Sequence, residues 1–503
     1  MTLHEVLLHP SRRLNMRVLV ITSLITGLIM GFYQVILQPF LVDIIRISGN
    51  NHNPEVTLGT IMTLASVIQV IPMVFAGKIS DKIGRKRVII GGFLFMPIAM
   101  ILMGLSGLFT LKQPINIILF REFAQHDIFT YLGVMSNNLT ITYVLAIAFL
   151  GLSCVSLGIG FSDPATQALT AESAEKKKTA SSFSIISMAY YATGLIGPLL
   201  IRILTDKIEI WVYFFVLAGL RMIIFVYQLF TLREPHVIKD FNPSFFKQFL
   251  QALVAIYHMF LQMFKSSALY LSIPIYYILK RIKKKESSNY FKNIETNLTL
   301  LKEIFRNPGV PYAIGFFMLD ALTWGLSISI FWGSVVIEYN FNEGNVAILN
   351  LIFNLSTLVF FIPVTKISDK LTKPRLLLLS QLTGGIFFIA NIVAYYIPNQ
   401  FRLYVIMVGW VGLGASVAFW MPGIMTILTN FDKRRRAEVY GLVSGLHSLG
   451  WLPTAAIAGL IIDKIGFIAI FIISMVLLPF NLLMSWKFPI NEEQEEKDKT
   501  SEQ

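Results

Sequence analysis

The sequence predicts an all-α polytopic membrane protein of twelve transmembrane helices, arranged as two six-helix bundles related by pseudo-symmetry. Three observations predict it. The 503-residue chain is 55% hydrophobic and 14% charged, whereas a soluble chain carries about a quarter charged residues. Its apolar residues gather into twelve runs of about 20, the length that crosses a hydrocarbon core. The pentapeptide Lys-Ile-Ser-Asp-Lys occurs twice, at 78–82 and 366–370, each time between two apolar runs.

The runs lie near 17–40, 57–76, 88–108, 142–162, 182–203, 210–231, 309–332, 344–364, 374–396, 402–427, 438–461 and 466–486. Backbone polar groups inside lipid must be satisfied within the segment, so each run is expected as a helix. Residues 1–16 are polar and basic, and the run after them is too long for a cleaved signal peptide, so it is expected to be the first span. The organisation predicted is a bundle over 1–231, a central cytoplasmic segment over 232–308, a second bundle over 309–486 and an acidic, disordered tail over 487–503. In the central segment the apolar stretches 245–264 and 268–279 are short and flanked by Lys and Arg. They are expected to lie on the membrane surface, with a hairpin dipping into the bilayer as the alternative.

Orientation follows from the basic residues. Seven of the 42 Lys and Arg fall in one set of loops (Arg46, Lys112, Arg121, Arg202, Lys207, Arg402 and Lys464), and Arg221 falls within span six. The other 34 lie in the opposite loops and termini, which the bias of basic residues places in the cytoplasm. A multi-pass cell-membrane protein with both termini cytoplasmic is expected. The net charge of +13 is thereby assigned to loops facing anionic lipid rather than to nucleic acid. Cys154 is the only cysteine, so no intramolecular disulfide forms. Seven scattered histidines supply no metal cluster, and no Gly-x-x-x-x-Gly-Lys-[Ser/Thr] pattern is present. No metal, no cofactor, no enzymatic activity and no direct drive by ATP are expected.

The duplication extends past the pentapeptide. Pro164 to Thr170, then Lys176-Lys177-Lys178, is echoed by Pro422 to Thr429, then Arg434-Arg435-Arg436. Ile203-Leu204-Thr205-Asp206-Lys207-Ile208 is echoed by Leu460-Ile461-Ile462-Asp463-Lys464-Ile465. The echoes fall in matching places of two halves that share one orientation. They read as parallel repeats about an axis along the membrane normal, as in transporters whose substrate site lies at the repeat interface.

The stretch Gly77-Lys-Ile-Ser-Asp81-Lys-Ile-Gly84-Arg85-Lys86-Arg-Val-Ile89 resembles the signature of the major facilitator superfamily between its second and third helices. That signature reads Gly-x-Leu-Ala-Asp-Arg-x-Gly-Arg-Lys-x-x-Leu. Gly77 is expected to end a span where helices approach closely, and Gly84 to permit a tight turn. Asp81 suits a helix N-terminus or an arginine across the seam between halves. The resemblance implies the major facilitator fold and transport by rocking of the two bundles. It also implies a conformational latch at Asp81, Arg85 and Lys86, supported by Gly77 and Gly84. In the second copy Thr365, Thr372 and Pro374 replace the corresponding Gly, Gly and Lys, which leaves Asp369 to keep the role. Markers of the family's drug:proton antiporters disagree. Cys154 stands where they carry Arg, and Gly194-Leu-Ile-Gly197-Pro198 keeps their kink but not the following Gly pair. Gly197 and Pro198 are expected to bend span five.

Ionisable groups within spans are costly and mark functional candidates. Asp320 lies mid-span in run seven, one of four that line the central cavity in the family. It is a candidate proton or counter-charge site, or a structural acid bonded to a neighbouring helix. His447 near the middle of run eleven is a candidate proton shuttle or a neutral packing histidine. Gln34 and Gln38 share one face of run one and suit polar substrate or helix–helix bonding. Trp324, Trp410 and Trp420 suit an amphipathic pocket or core packing. Arg221 is expected to snorkel or to pair locally. Asp163, Pro164 and Glu172 are expected at the inner gate.

These readings converge on a secondary active transporter of a small solute, functional as a monomer in the lipid bilayer. Proton coupling through Asp320 and export of hydrophobic or amphipathic compounds are expected. A facilitative uniporter and a proton-coupled uptake symporter remain open, as does, from another class, a non-transporting sensor or scaffold.

Overall fold

The computed structural model describes residues 3–50, 53–112, 118–120, 141–174, 179–204, 207–234, 250–251, 253–265, 309–368, 371–430 and 436–488. Among them are twelve helices long and apolar enough to cross a membrane. They are Arg12–Ile47, Pro54–Ile83, Arg85–Thr110, Tyr143–Ser173, Ser182–Leu204, Ile210–Thr231, Gly309–Glu338, Glu343–Ile367, Pro374–Tyr396, Asn399–Ile424, Ser444–Ile465 and Ile468–Trp486, numbered here as spans one to twelve. Each meets one predicted run. Several overshoot it: the first helix runs from Leu3 to Ile47 and continues through Pro10.

The 109–141 connection departs from an all-helical plan. Within it Ile118–Phe120 (β1) pairs antiparallel with Ile141–Thr142 (β2). Thr142 then caps span four, its hydroxyl accepting from the Leu145 amide at 3.3 Å. In the central segment one short apolar helix is described, Leu253–Lys265. Its Met259 and Met263 are buried, while Leu253, Val254, Tyr257 and Phe264 are exposed. Phe260 packs edge-on against Phe95 and Phe161, so the helix rests against spans three and four. The stretch 268–279, the echoes at 176–178 and 434–435, Asp206 and the tail from 489 lie outside the described residues.

Three spans are interrupted. Span five breaks between Gly194 and Ile196, where the ring of Pro198 meets the carbonyl four residues back and offers it no N–H. Span eleven breaks between Trp451 and Thr454, at Pro453. These two breaks occupy matching places in the two repeats. Span seven breaks between Ile328 and Phe331 with no proline at the break.

The halves meet along spans two and eleven, and along spans five and eight. Near the ends of these spans away from the Lys/Arg-rich loops, Gly59 lies against Ala455 and Gly459 against Glu55. The Ala456 amide donates to the Thr63 hydroxyl at 3.1 Å. Nearer the basic loops the Ser448 hydroxyl reaches Met73 Sδ at 3.2 Å, and Tyr191 packs its ring 5.8 Å from that of Phe361. Small residues let the backbones approach where lipid offers no hydrophobic drive for association.

Candidate functional site

The loop between spans two and three builds a charged cluster from residues far apart in sequence. Span two runs on to Ile83, so Gly77 lies inside its last turns rather than ending it. Gly84 turns the chain with φ +101°, a conformation that side chains disfavour. Span three then starts at Arg85, and its first amides point at a carboxylate. Arg85 N–H donates to Glu234 Oε1 and Lys86 N–H to Glu234 Oε2, both at 3.0 Å. Asp81 accepts from Arg85 Nη2 at 3.1 Å within its own half. Arg85 Nη1 reaches Glu172 Oε1 at 2.6 Å.

The cluster therefore binds three spans and the exit of span six into one charge relay, Asp81–Arg85–Glu172 with Glu234 beside it. Asn15 reinforces it, donating to the Arg233 carbonyl at 3.0 Å and accepting from the Arg233 amide at 2.9 Å. Sequence reasoning missed Glu234. Its one signal is an acid immediately after span six, in an otherwise basic neighbourhood, with an uncapped helix start to satisfy. Gly84→Ala is expected to cost about 1–3 kcal/mol for the strained φ. Its Cβ would also meet Glu234 Oε2 at 2.9 Å. A drop in thermal midpoint matched by Glu234→Gln, with no further drop in the double variant, would show that the two act together. Fully additive losses would refute it. Asp369, the counterpart in the second half, lies outside the described residues.

In the C-terminal half one acid organises a buried polar network. Asp320 is 4% exposed. Its Oδ1 accepts from Gln381 Nε2 at 2.6 Å, and Gln381 Oε1 in turn accepts from Trp324 Nε1 at 3.2 Å. Its Oδ2 lies 3.9 Å from His447 Nε2. That nitrogen accepts from Trp451 Nε1 at 3.1 Å, so His447 is neutral there with its proton on Nδ1. Spans seven, nine and eleven thus bring together two residues that the sequence offered separately. Gln381 was not anticipated: its partner, Asp320, lies 61 residues away on another span.

Two of the three tryptophans take the core-packing alternative. Trp324 is buried and stacked on Phe388 at 4.6 Å. Trp410 is stacked on Trp332 at 4.4 Å, among Phe331, Phe387 and Phe353. Both are core of the C-terminal bundle rather than walls of a pocket. Trp420 also reaches the network, its ring 5.9 Å from that of His447.

Gln34 and Gln38 do share a face, and that face meets the opposite half. Gln38 Nε2 donates to the Ser329 carbonyl, and Gln38 Oε1 accepts from the Gly333 amide, both at 2.8 Å. These are backbone groups freed by the break in span seven. Gln34 Oε1 accepts from Asn350 Nδ2 on span eight at 3.1 Å. The two amides occupy the seam between the halves.

At the proposed gate Asp163 accepts from Gln167 Nε2 at 3.2 Å, Pro164 is buried without interrupting span four, and Glu172 joins the charge relay. Gly197 packs on Gly31: a Cβ at Gly197 would lie 2.6 Å from the Gly31 carbonyl carbon. With Pro198 it sets both the break in span five and its close approach to span one. Of the two readings of Arg221, snorkelling is the one that fails. The side chain is 3% exposed and directed inward, its Nη2 reaching Met30 Sδ at 3.3 Å. Among the described residues no group of three or more His, Cys, Asp and Glu could hold a metal ion.

Comparison with known proteins gives the following. The family model of the Major Facilitator Superfamily matches residues 19–335 and 312–503. No curated protein sequence matches the chain. Among solved structures, the xylose transporter XylE from E. coli, in a partially occluded inward-open conformation, superposes with a TM-score of 0.61 at 14% identity, over 95% of this chain and 98% of that one. The proton:xylose symporter XylE bound to 6-bromo-6-deoxy-D-glucose gives 0.60 at 12% identity, over 94% and 96%. The human organic anion transporter MFSD10 gives 0.56 at 12% identity, over 94% and 99%.

Proposed function

The chain belongs to the major facilitator superfamily, a family of secondary transporters, and from that premise we propose that it is a proton-coupled carrier of a small amphipathic solute. The observation that carries the reading is the Asp320–Gln381–His447 network. An acid buried mid-span beside a neutral histidine is the arrangement expected of a proton relay. A proton arriving at His447 Nε2 displaces the bond from Trp451 and presents an N–H to Asp320, 3.9 Å away. A small closure of spans seven and eleven then passes the proton to the carboxylate. This closure accompanies the rocking of the bundles, which couples proton transfer to transport.

Solute enters between the halves and is exposed alternately to each side. Gln34 and Gln38 hold the outer part of the seam, and the relay Asp81–Arg85–Glu172, with Lys86 beside it, steadies the inner part. Export is the direction in keeping with the kinked span five. The fold is shared by a xylose transporter and an organic anion transporter, so it leaves the solute open.

The test is proton flux in proteoliposomes loaded with a pH-sensitive dye. Xylose, a dipeptide, benzoate and a lipophilic phosphonium cation are offered in turn, with uptake of each followed in parallel. A compound that moves together with protons supports the reading. A compound that crosses with no proton movement would make the protein a facilitator and overturn the coupling.

A further inference from the structure

Among the described residues, Arg221 is a cation with no paired anion. It is the twelfth residue of span six, Ile210–Thr231. At about 1.5 Å per residue that leaves roughly 15 Å of helix on either side, too deep for the side chain to carry its head to an interface. It is 3% exposed, so it meets neither lipid nor water. Its contact through Nη2 is the thioether of Met30, a weak acceptor, and its Nε has no hydrogen-bond partner. Among the described residues no ion pair joins it to a carboxylate. Arginine does not shed its proton in a protein, so the site cannot neutralise itself. An unpaired charge held in this way is among the costliest features a membrane helix can carry.

Its surroundings are arranged for an anion. Tyr33 stands one helical turn from Met30 on span one, and Tyr190 packs its backbone on Gly27 of the same span. Tyr33 is 5% exposed and its hydroxyl has no partner. The two phenols can both donate to a ligand that the guanidinium holds by charge. The site also lies against the route between the halves. Tyr190 is only partly buried, and its neighbour Tyr191 packs on Phe353 and Phe361 of span eight. Span five breaks just beyond, at Gly194, beside Asn354 of the opposite half. Separation of spans five and eight therefore opens a path to Arg221. Aromatic rings cluster nearby, with Phe32 against Tyr213 and Tyr190 against Tyr191.

We propose that Arg221, with Tyr33 and Tyr190, binds the carboxylate of the transported solute, and that the substrates are small organic monocarboxylates with an apolar body. A planar fork of donors matches a carboxylate in two parallel hydrogen bonds, and the nearby aromatic rings take the body. The proposal rests on the reading of the chain as a solute carrier, but its test does not require transport.

The experiment is thermal unfolding of the purified full-length protein in detergent, titrated with benzoate, with benzamide as its neutral counterpart, and with inorganic phosphate. Wild type is expected to gain several degrees with benzoate, saturably, and nothing with benzamide. Arg221→Met is expected to unfold at a higher temperature than wild type without ligand, because the unpaired charge is gone, and to lose the benzoate response. Tyr33→Phe is expected to fold normally and to weaken benzoate binding roughly tenfold, the loss of one charge-assisted hydrogen bond. Equal responses to benzoate and benzamide, a response to phosphate alone, or an unchanged benzoate response in Arg221→Met would each overturn the proposal. So would a ligand-free Arg221→Met less stable than wild type. Stabilisation by benzoate without any benzoate flux in proteoliposomes would keep the site and remove the carrier reading instead.

Discussion

Asp320→Asn is expected to abolish solute-driven proton movement while leaving the protein folded and in the membrane. Asparagine keeps the shape of the side chain and still accepts from Gln381 Nε2, the 2.6 Å bond that holds the network together. It has no proton to exchange. Loss of a positioned proton-transfer group costs about 100-fold or more, and flux read with an internal pH dye should fall by that much. Downhill exchange of the same solute should survive, because rocking of the bundles does not itself consume the carboxylate. His447→Gln should slow flux less, since the histidine passes a proton on whereas Asp320 holds it. Wild-type proton flux in Asp320→Asn would reduce the acid to a structural bond between spans seven and nine.

The residues that carry this prediction show what the sequence made legible. All twelve spans were readable because a run of about 20 apolar residues leaves few alternatives. The break in span five was marked by Pro198, whose missing N–H acts locally, whereas Pro453 in span eleven was passed over. The break in span seven was not marked, because no proline or sharp turn residue accounts for it. Its freed carbonyl at Ser329 and amide at Gly333 are satisfied by Gln38, from the other half of the chain. No local pattern encodes that.

Depth was readable where direction was not. Asp320 and Arg221 were placed mid-span by counting, but spans six and seven are apolar around most of their circumference. Periodicity therefore could not say which face was buried. The structure turns Asp320 toward Gln381 and His447 within its own bundle, and Arg221 toward Met30. The signature loop was legible as a motif and misleading in detail. Gly84 does turn the chain, but the acid on the following helix start is Glu234, 149 residues away.

The second large effect is expected at Gly59, where the seam is closest. A Cβ on Gly59 would lie 2.9 Å from the Ala455 carbonyl carbon and 3.2 Å from Ala456 Cα. Gly459 answers from the other half, its own Cβ position 2.7 Å from the Glu55 carbonyl oxygen. The obstacles are backbone atoms, which cannot rotate aside as a side-chain end would. Gly59→Leu therefore drives spans two and eleven apart near the ends away from the basic loops, and the Thr63–Ala456 bond goes with them. Overpacking of this kind costs about 1–3 kcal/mol. Spent on one conformation only, that shifts the balance between states by about 5–150-fold. Conformations in which this part of the seam is already open pay no such penalty, so the variant should fold and accumulate open on that side. A cysteine placed at Ser329 in a Cys154→Ser background reads the change. It lies behind Gln38 in the closed seam and should react slowly with a membrane-impermeant maleimide. In Gly59→Leu it should react at least several-fold faster, and transport should fall because the return step is blocked. Unchanged labelling together with unchanged transport would mean that the close crossing of spans two and eleven fixes the fold without gating it.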